Sequence, residues 1–152
     1  MNKPLSRLGK DLRQALSQAT TEVAHDLTLD LKTEGPYWDG VFEKSWEIRK
    51  GEASIPANVP GKDPPSAKNQ PREITPPAVP QIGPQTLSGF TIGNRTEYRE
   101  IAMDLVPGRL KGENSAYGGT ADQDWFENYM QGGQADLTIR QATDRAMHER
   151  GF

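Results

Sequence analysis

Apolar residues recur every three or four positions in the amino-terminal part of the chain, with polar and charged residues between them. The series is Leu5, Leu8, Leu12, Leu16, Ala19, Val23, Leu27 and Leu31. A repeat of this period is typical of an α-helix with one apolar face. Pro4 suits a first-turn position, and Gly35-Pro36 supplies an end, because proline disfavours helical geometry in the residue before it. The pattern predicts one long amphipathic helix over residues 4–33.

The stretch that follows, GPYWDGVFEKSWEIRKGE, is rich in aromatic residues. Trp38, Phe42 and Trp46 repeat every four residues, as one face of a short helix would. Phe42, Trp46 and Ile48 also fall on one side of an alternating strand, so a helix and a strand would bury the same rings. We favour a short helical piece followed by a strand over residues 45–49, because Lys50-Gly51 is typical of a hairpin turn into the sequence EASI.

Two further elements are predicted in the second half of the chain. In TLSGFTIGN, Phe90 and Ile92 alternate with small polar residues, as in a strand with one covered face. In TEYREIAMDLVPG, apolar residues follow helical spacing from Tyr98 to Leu105, with Thr96 as a plausible N-cap. The middle of the chain therefore predicts a strand, then a short helix, then a turn.

The carboxyl-terminal region is predicted to be helical. Thr120 and Gln123 form a capping box, and Asp122 and Asp124 lie in the favourable first turn. A helix with Trp125, Phe126, Tyr129 and Met130 follows, and it should break or bend at Gly132-Gly133. It then resumes with small residues on its buried stripe, which are Ala135, Ile139, Ala142 and Ala146.

Residues 56–86 form a proline-rich insertion, since the stretch from Ile55 to Thr86 holds nine of the chain's 12 prolines. Proline removes a backbone donor and fixes a dihedral angle, so neither a helix nor a sheet interior can cross this region. It is either a solvated spacer or an arm that becomes ordered on a neighbouring subunit. Its Pro77-Ala78-Val79-Pro80 spacing is the minimum that an SH3-like groove accepts.

These elements predict an α+β fold. We expect the long N-terminal helix and the C-terminal helix to pack on a small antiparallel sheet, with the insertion extending from it. Residues 1–152 would then form a single domain, since this length suits one core.

Composition and charge narrow the classes of function. Hydrophobic residues make up 34% of the chain and charged ones 26%, with a net charge of −3 and no cysteine. This balance gives no overall attraction to nucleic acid or an anionic membrane, and sequence-specific nucleic-acid binding is not expected. The sequence shows neither a signal peptide nor an apolar run long enough to span a bilayer, so we expect a protein made in the cytoplasm.

The search for catalytic chemistry gives no positive signal. His25 and His148 are the two histidines, too few for a zinc site in a chain that has no cysteine. Ser88, in LSGF, lacks the preceding glycine of a nucleophile elbow, and phosphate-binding loop motifs are missing. Helix capping accounts for Asp122 and Asp124. We therefore expect a protein that is not an enzyme and uses no metal or cofactor.

The aromatic residues are better explained by burial than by base stacking. In the first aromatic stretch, acidic residues offset the basic ones, whereas stacking on nucleic acid needs a basic groove. Aromatic rings bury large apolar areas and anchor interfaces. The candidate structural or interface residues are Trp38, Phe42, Trp46, Tyr98, Trp125, Pro76, Pro77 and Pro80.

The order of these features resembles the neck and tail-completion proteins of tailed bacteriophages, which join the head to the tail. In that family a Thr-Gly-x-Leu-x-x-Ser signature follows the first helix, where this chain has DGVFEKS at residues 39–45. An Ile-x-Asn-x-x-x-Tyr segment follows the hairpin, where this chain has IGNRTEY at residues 92–98. The resemblance covers most of the chain outside the proline-rich insertion, which the family's pattern lacks.

The resemblance implies a non-enzymatic virion protein at the head–tail junction, present as a ring of six or twelve copies. Its neighbours would be portal, adaptor, tail-tube or sheath proteins, and it brings no catalytic residues. A tail terminator and a portal-side adaptor remain equally open. Two other classes also stay open: a binding module that recruits a protein partner through its proline-rich arm, and a small hydrolase with an unrecognised site.

Overall fold

The computed structural model describes residues 4–37, 40–60, 73–84, 88–104, 121 and 124–152. This part of the chain has helices and a two-stranded antiparallel sheet, which confirms the α+β class. The elements in chain order are α1 (Leu5–Glu34), α2 (Val41–Lys44), β1 (Trp46–Lys50), β2 (Phe90–Asn94), α3 (Arg99–Asp104), α4 (Trp125–Gln131) and α5 (Gln134–Glu149).

Helix α1 confirms the prediction from the leucine repeat, and it ends at Gly35, as expected. The Gly35 amide donates to the Leu31 carbonyl at 3.1 Å. A Cβ atom on Gly35 would lie 2.8 Å from that same oxygen and 3.0 Å from Cη2 of Trp125. Glycine is therefore needed here, because the end of α1 lies in direct contact with the aromatic core.

The sheet pairs β1 with β2, and its register places Trp46 opposite Asn94 and Ile48 opposite Ile92. The predicted hairpin from Lys50-Gly51 into EASI is wrong. Gly51 does have a positive φ of 65°, but its amide donates to the Gly89 carbonyl at 2.7 Å. The partner of β1 therefore comes from beyond the proline-rich insertion, because a suitable turn residue does not by itself determine which strand pairs.

The segment after β1 runs to the far end of β2 rather than back along β1. Val59 forms a parallel bridge with Thr96. The Arg95 carbonyl accepts from the amides of Asn58 and Val59, both at 2.9 Å. Arg99 Nη1 donates to the carbonyls of Ile55 and Asn94, at 2.8 and 3.0 Å. These bonds hold the start of the proline-rich insertion beside the sheet.

The break at Gly132-Gly133 is confirmed, and α5 turns there to pack along α1. Gly133 precedes α5 with φ of 90°, a conformation that favours glycine. The buried residues of α5 are Ala135, Thr138, Ala142 and Ala146. Ile139, predicted for this stripe, is instead 38% exposed, because Thr138 occupies the buried position and hydrogen-bonds to Asp30 of α1.

The helix starts differ in detail from the predicted caps. Thr96 supports α3 through its backbone carbonyl, which accepts from the Arg99 amide at 3.2 Å. Asp124 precedes α4 in the left-handed conformation, with φ of 58° and no side-chain cap hydrogen bond. The prediction that the Asp124 carboxylate caps the helix is therefore wrong. Its backbone carbonyl instead accepts a hydrogen bond from the Asn128 amide. Other residues of these predicted caps and stops lie outside the described residues, namely Leu105, Pro107, Thr120, Asp122 and Gln123.

Candidate functional site

Four of the five candidate aromatic residues meet in one buried corner where α1, α2, β1, α3 and α4 converge. The Phe42 ring lies at the centre, with ring centroids 5.7 Å from Trp46, 6.3 Å from Tyr98 and 6.4 Å from Trp125. The contacts with Trp46 and Trp125 are edge-to-face, and such contacts stabilise the cluster beyond the apolar area that the rings bury. Trp38 lies outside the described residues. We name this cluster the aromatic corner.

The aromatic corner is part of the core rather than an open binding surface. Phe42, Trp46 and Trp125 are each less than 10% exposed. Trp125 Nε1 donates to the Ala102 carbonyl at 2.9 Å, which joins α4 to α3. Rings buried in this way cannot stack on a base or a ligand without local unfolding, so the corner provides stability and shape.

The amide of Asn94 fixes the two chain segments that form the corner. Its side chain is 1% exposed. Nδ2 donates to the Phe42 carbonyl at 2.8 Å, and Oδ1 accepts from the Thr96 amide and hydroxyl at 3.0 and 2.8 Å. A buried amide with partners on both sides holds the start of α3 against α2.

Residues 73–84, here called the proline segment, run along α1 of the same chain. The Thr75 carbonyl accepts from Lys32 Nζ at 2.9 Å, and the Ile82 carbonyl accepts from the Ser17 hydroxyl at 3.1 Å. A helix advances about 1.5 Å per residue, so Ser17 and Lys32 lie about 22 Å apart along α1. An extended chain advances about 3.1 Å per residue and also covers about 22 Å from Thr75 to Ile82. The proline segment is therefore fully extended and antiparallel to α1.

A buried ion pair holds one end of the proline segment. Lys32 and Glu43 are 4% and 1% exposed, and their charged atoms Nζ and Oε1 are 3.2 Å apart. The same Glu43 oxygen accepts from the Thr75 amide at 2.7 Å. Its second oxygen is buried and has no hydrogen-bond partner among the described residues. Because each charge depends on the other for compensation, the pair links α1, α2 and the proline segment.

The candidate prolines lie in this segment. Pro77 and Pro80 are half-buried, whereas Pro76 is exposed. An open groove of about 540 Å³ lies where the segment reaches the middle of α1, and Ser17, Thr21, Ile82 and Pro84 are among its lining residues. The sequence predicted the extended conformation of this region without indicating that its own helix α1 would bind it.

A row of polar side chains, one per turn of α1, joins this helix to α4 and α5. The row consists of Gln18, Glu22, Asp26 and Asp30. Gln18 accepts from Arg150 Nε, and Glu22 and Asp26 both accept from Arg145. Asp30 accepts from the hydroxyls of Tyr129 and Thr138 at 2.8 and 2.6 Å. Apolar periodicity does not reveal this row, although the four-residue spacing of its polar residues is itself a signal.

The electrostatics of this row follow from its partners. Partial burial acts to raise the pKa of Asp26. The hydrogen bonds from His25 and Arg145 outweigh this effect and hold the pKa below its usual value. Burial, together with the hydrogen bond to Asp30, raises the pKa of Tyr129. The bonds to Asp26 and Glu22 raise the pKa of Arg145. At neutral pH Asp26 and Arg145 are therefore charged and Tyr129 is neutral, which suits a structural role.

The amino-terminal half of α1 leaves four leucines of its apolar repeat exposed. An amphipathic helix usually buries its apolar face, yet Leu5 is 85% exposed and Leu8, Leu12 and Leu16 are each about 40% exposed. We call these four residues the leucine face. A second open groove, of about 420 Å³, runs beside it between Leu5, Gly9, Arg13 and Pro84.

Within the described residues, no group of three or more histidine, aspartate or glutamate side chains is arranged to hold a metal ion. Helices of the described chain lack the combination of length and apolar character needed to cross a bilayer.

No family model matches the chain, and neither a curated protein nor a solved structure matches it.

Proposed function

We propose that the protein is a non-enzymatic structural subunit of a bacteriophage virion that forms a ring at the head–tail junction. The observation that carries the proposal is the leucine face. It lies on the part of α1 that extends past the end of α5, since Arg150 is level with Gln18. Four leucines on one exposed helix face are typical of a surface that another protein covers.

The size of the leucine face favours an assembly with several contacts per subunit. The exposed fractions of its four leucines together equal about two fully exposed leucine side chains. Burying this surface against another protein would contribute about 3–6 kcal/mol to the free energy of binding. Association of two proteins costs about 4–15 kcal/mol in lost freedom of motion. The leucine face alone therefore makes a weak dimer, whereas a closed ring gives every subunit two interfaces at once.

The motifs that carry the phage resemblance also support this proposal, because they pack against each other. The segment DGVFEKS contributes Phe42 and Ser45, and the segment IGNRTEY contributes Asn94, Arg95 and Tyr98. Asn94 binds the Phe42 carbonyl, and the Arg95 amide donates to the Ser45 carbonyl at 3.0 Å. The two segments thus form one structural unit beside the aromatic corner.

The alternative of a binding module that offers the proline segment to a partner has less support. Both prolines of the Pro77-Ala78-Val79-Pro80 spacing are half-buried. Hydrogen bonds to Ser17 and Lys32 of α1 and to Glu43 of α2 hold the segment on these helices. A partner would have to displace these bonds before it could bind the prolines.

Native mass spectrometry and negative-stain imaging of the purified protein test the proposal. We expect rings of six or twelve copies at micromolar concentration, and we expect the chain in purified phage particles at the head–tail junction. A protein that stays monomeric over this range and is missing from particles would contradict the proposal. If the purified protein forms rings but the chain is missing from phage particles, ring assembly is supported and the assignment to the virion is contradicted.

A further inference from the structure

We propose that the second open groove, beside the amino-terminal half of α1, binds a short, extended and acidic segment of a partner protein. We call it the basic groove, and its described lining residues are Leu5, Ser6, Gly9, Lys10, Arg13 and Pro84. The inference goes beyond the proposed ring and does not depend on it, because the groove is formed within a single copy.

The basic groove lies on the side of α1 that already holds an extended chain. The Ser17 hydroxyl donates to the Ile82 carbonyl. Pro84, two residues further on, lines both the basic groove and the groove beside Ser17. Lys10 precedes Ser17 by seven residues, which is about two turns of a helix, so both side chains lie on the same side of α1. The path of the proline segment therefore continues into the basic groove.

The polar residues of the basic groove suit a chain that offers many acceptors. Proline has no backbone N–H, so a proline-rich chain presents carbonyl oxygens with few donors. On the occupied part of α1 these carbonyls accept from Ser17 and Lys32. Ser6, Lys10 and Arg13 supply the same kinds of donor in the groove, and its described lining residues include no carboxylate. The groove therefore favours carbonyl and carboxylate oxygens.

The positive charge of this half of α1 lies on the groove side of the helix. Arg7, Lys10 and Arg13 are exposed. They are spaced three residues apart, so each is rotated by about 60° from the one before, and together they span about 120° of the helix surface. Asp11, the acidic residue of positions 5–16, lies about 100° from Lys10 and outside that arc. An acidic segment is therefore attracted to the groove side and oriented by it.

The dimensions of α1 define the spacing of the acidic residues in the segment. Arg7 and Arg13 lie about 9 Å apart along the helix axis, since each residue advances about 1.5 Å. One turn of a polyproline II helix has three residues and also advances about 9 Å. Carboxylates three residues apart on an extended segment therefore match the spacing of these two cations.

The apolar part of the groove favours a peptide over a nucleic acid. Leu5, Gly9 and Pro84 line it beside the cations, so an apolar residue between two carboxylates finds apolar contact. A single-stranded nucleic acid is bound instead by a longer basic surface with aromatic rings that stack on the bases. The described lining residues of the basic groove include no aromatic ring.

Fluorescence polarisation with a labelled peptide of three Glu-Leu-Pro repeats tests the proposal. Wild type should bind it saturably with a dissociation constant below about 100 µM, because a short peptide with few polar contacts binds weakly. A Lys-Leu-Pro peptide of the same length should not bind. A lack of saturable binding, or equal binding of the two peptides, would overturn the proposal. Tighter binding of a short oligothymidine would also overturn it and would indicate a nucleic-acid site.

Charge reversal places the binding site on the protein. Lys10→Glu with Arg13→Glu should weaken binding of the acidic peptide at least about tenfold, because the groove then repels carboxylates. The matched control is Lys44→Glu with Arg140→Glu, the same change of net charge at exposed positions away from the groove. It should keep the wild-type affinity within about threefold, since salt screens distant charges. Equal losses in two folded variants would contradict the assignment to the groove.

Gly9 gives a second readout that does not depend on charge. A Cβ atom on Gly9 has open space around it, so α1 accepts a side chain that extends into the groove. Gly9→Trp should weaken binding at least about fivefold by filling the groove, whereas Gly9→Ala should bind like wild type. Unchanged binding by folded Gly9→Trp would overturn the proposal. Peptide binding is measured on whichever oligomer wild type forms, so this proposal and the proposed ring can fail separately.

Discussion

The two halves of α1 share one leucine repeat but have opposite surroundings. The carboxyl-terminal half ends in buried Leu31 and Lys32, and its polar side binds α4 and α5 through Asp26 and Asp30. The amino-terminal half carries the leucine face and extends past the end of α5. The same periodicity therefore produces a core helix at one end and an exposed apolar surface at the other. Periodicity determines that a helix forms, whereas the rest of the chain determines what covers it.

The largest effect is expected where the carboxyl-terminal half of α1 contacts the aromatic corner. Trp125→Ala should lower the free energy of unfolding by about 3–5 kcal/mol, and Trp46→Ala should have a similar effect, because each opens a cavity in the core. Chemical denaturation measures this loss. Leu12→Ala is the matched control from the leucine face and should change it by less than about 0.5 kcal/mol. Equal losses for Leu12→Ala and Trp125→Ala would remove the contrast between the two halves.

A second test concerns the buried ion pair. Lys32→Met should destabilise the fold by about 3 kcal/mol, because it leaves the Glu43 carboxylate buried without its cation. The double variant Lys32→Met/Glu43→Met should recover much of this loss, since no uncompensated charge remains. A double-mutant cycle from urea denaturation measures the coupling. A purely additive result would show that the two residues do not depend on each other.

The polar row of α1 gives the next smaller effect. Asp30→Ala should cost about 1–3 kcal/mol, because the Tyr129 and Thr138 hydroxyls lose their shared acceptor. The turn between α4 and α5 should loosen locally, and hydrogen exchange at α4 and the start of α5 measures this change. Glu22→Ala, in the same row but bound to exposed Arg145, serves as the control, and its effect should be smaller. Unchanged hydrogen exchange in Asp30→Ala would show that this carboxylate does not hold the turn between α4 and α5 in place.

The smallest effect is a pH dependence from Asp26. The lowered pKa means that its stabilising contribution is fully present above the ordinary aspartate value of about 3.9, and it is lost as the pH falls through the lower folded value. Between pH 5 and pH 2 the free energy of unfolding should therefore fall more in wild type than in Asp26→Asn. The two pH profiles should otherwise be similar. Parallel profiles for the two proteins in equilibrium denaturation would contradict the shift.

The sequence predicted the elements whose signals are local. Helix α1 and the break at Gly132-Gly133 follow from apolar spacing and from glycine, and β2 follows from alternation around Ile92. It also identified the rings that meet in the aromatic corner, because few positions in this polar chain can bury large apolar groups.

The remaining features depend on contacts between distant residues, which no local pattern encodes. Lys50-Gly51 fits a hairpin turn, yet β1 pairs across the insertion with β2. Thr138 replaces Ile139 in the buried stripe because Asp30, far away in sequence, supplies an acceptor. The Lys32–Glu43 pair is completed by Thr75, whose amide donates to Glu43 and whose carbonyl accepts from Lys32.

The packing of α5 along α1 has a consequence for biosynthesis. Helix α1 is complete once Glu34 has been made, but α5 ends only at Glu149. Ribosomes add about 5–20 residues per second, so about 6–23 s separate the two events. During that interval the whole leucine repeat and the polar row remain without α5, even the half that the finished molecule covers. Because α1 precedes α5 in the chain, its exposed apolar residues are free during synthesis to bind a chaperone or to associate with other nascent chains. The helix that is made first is among the last to be covered.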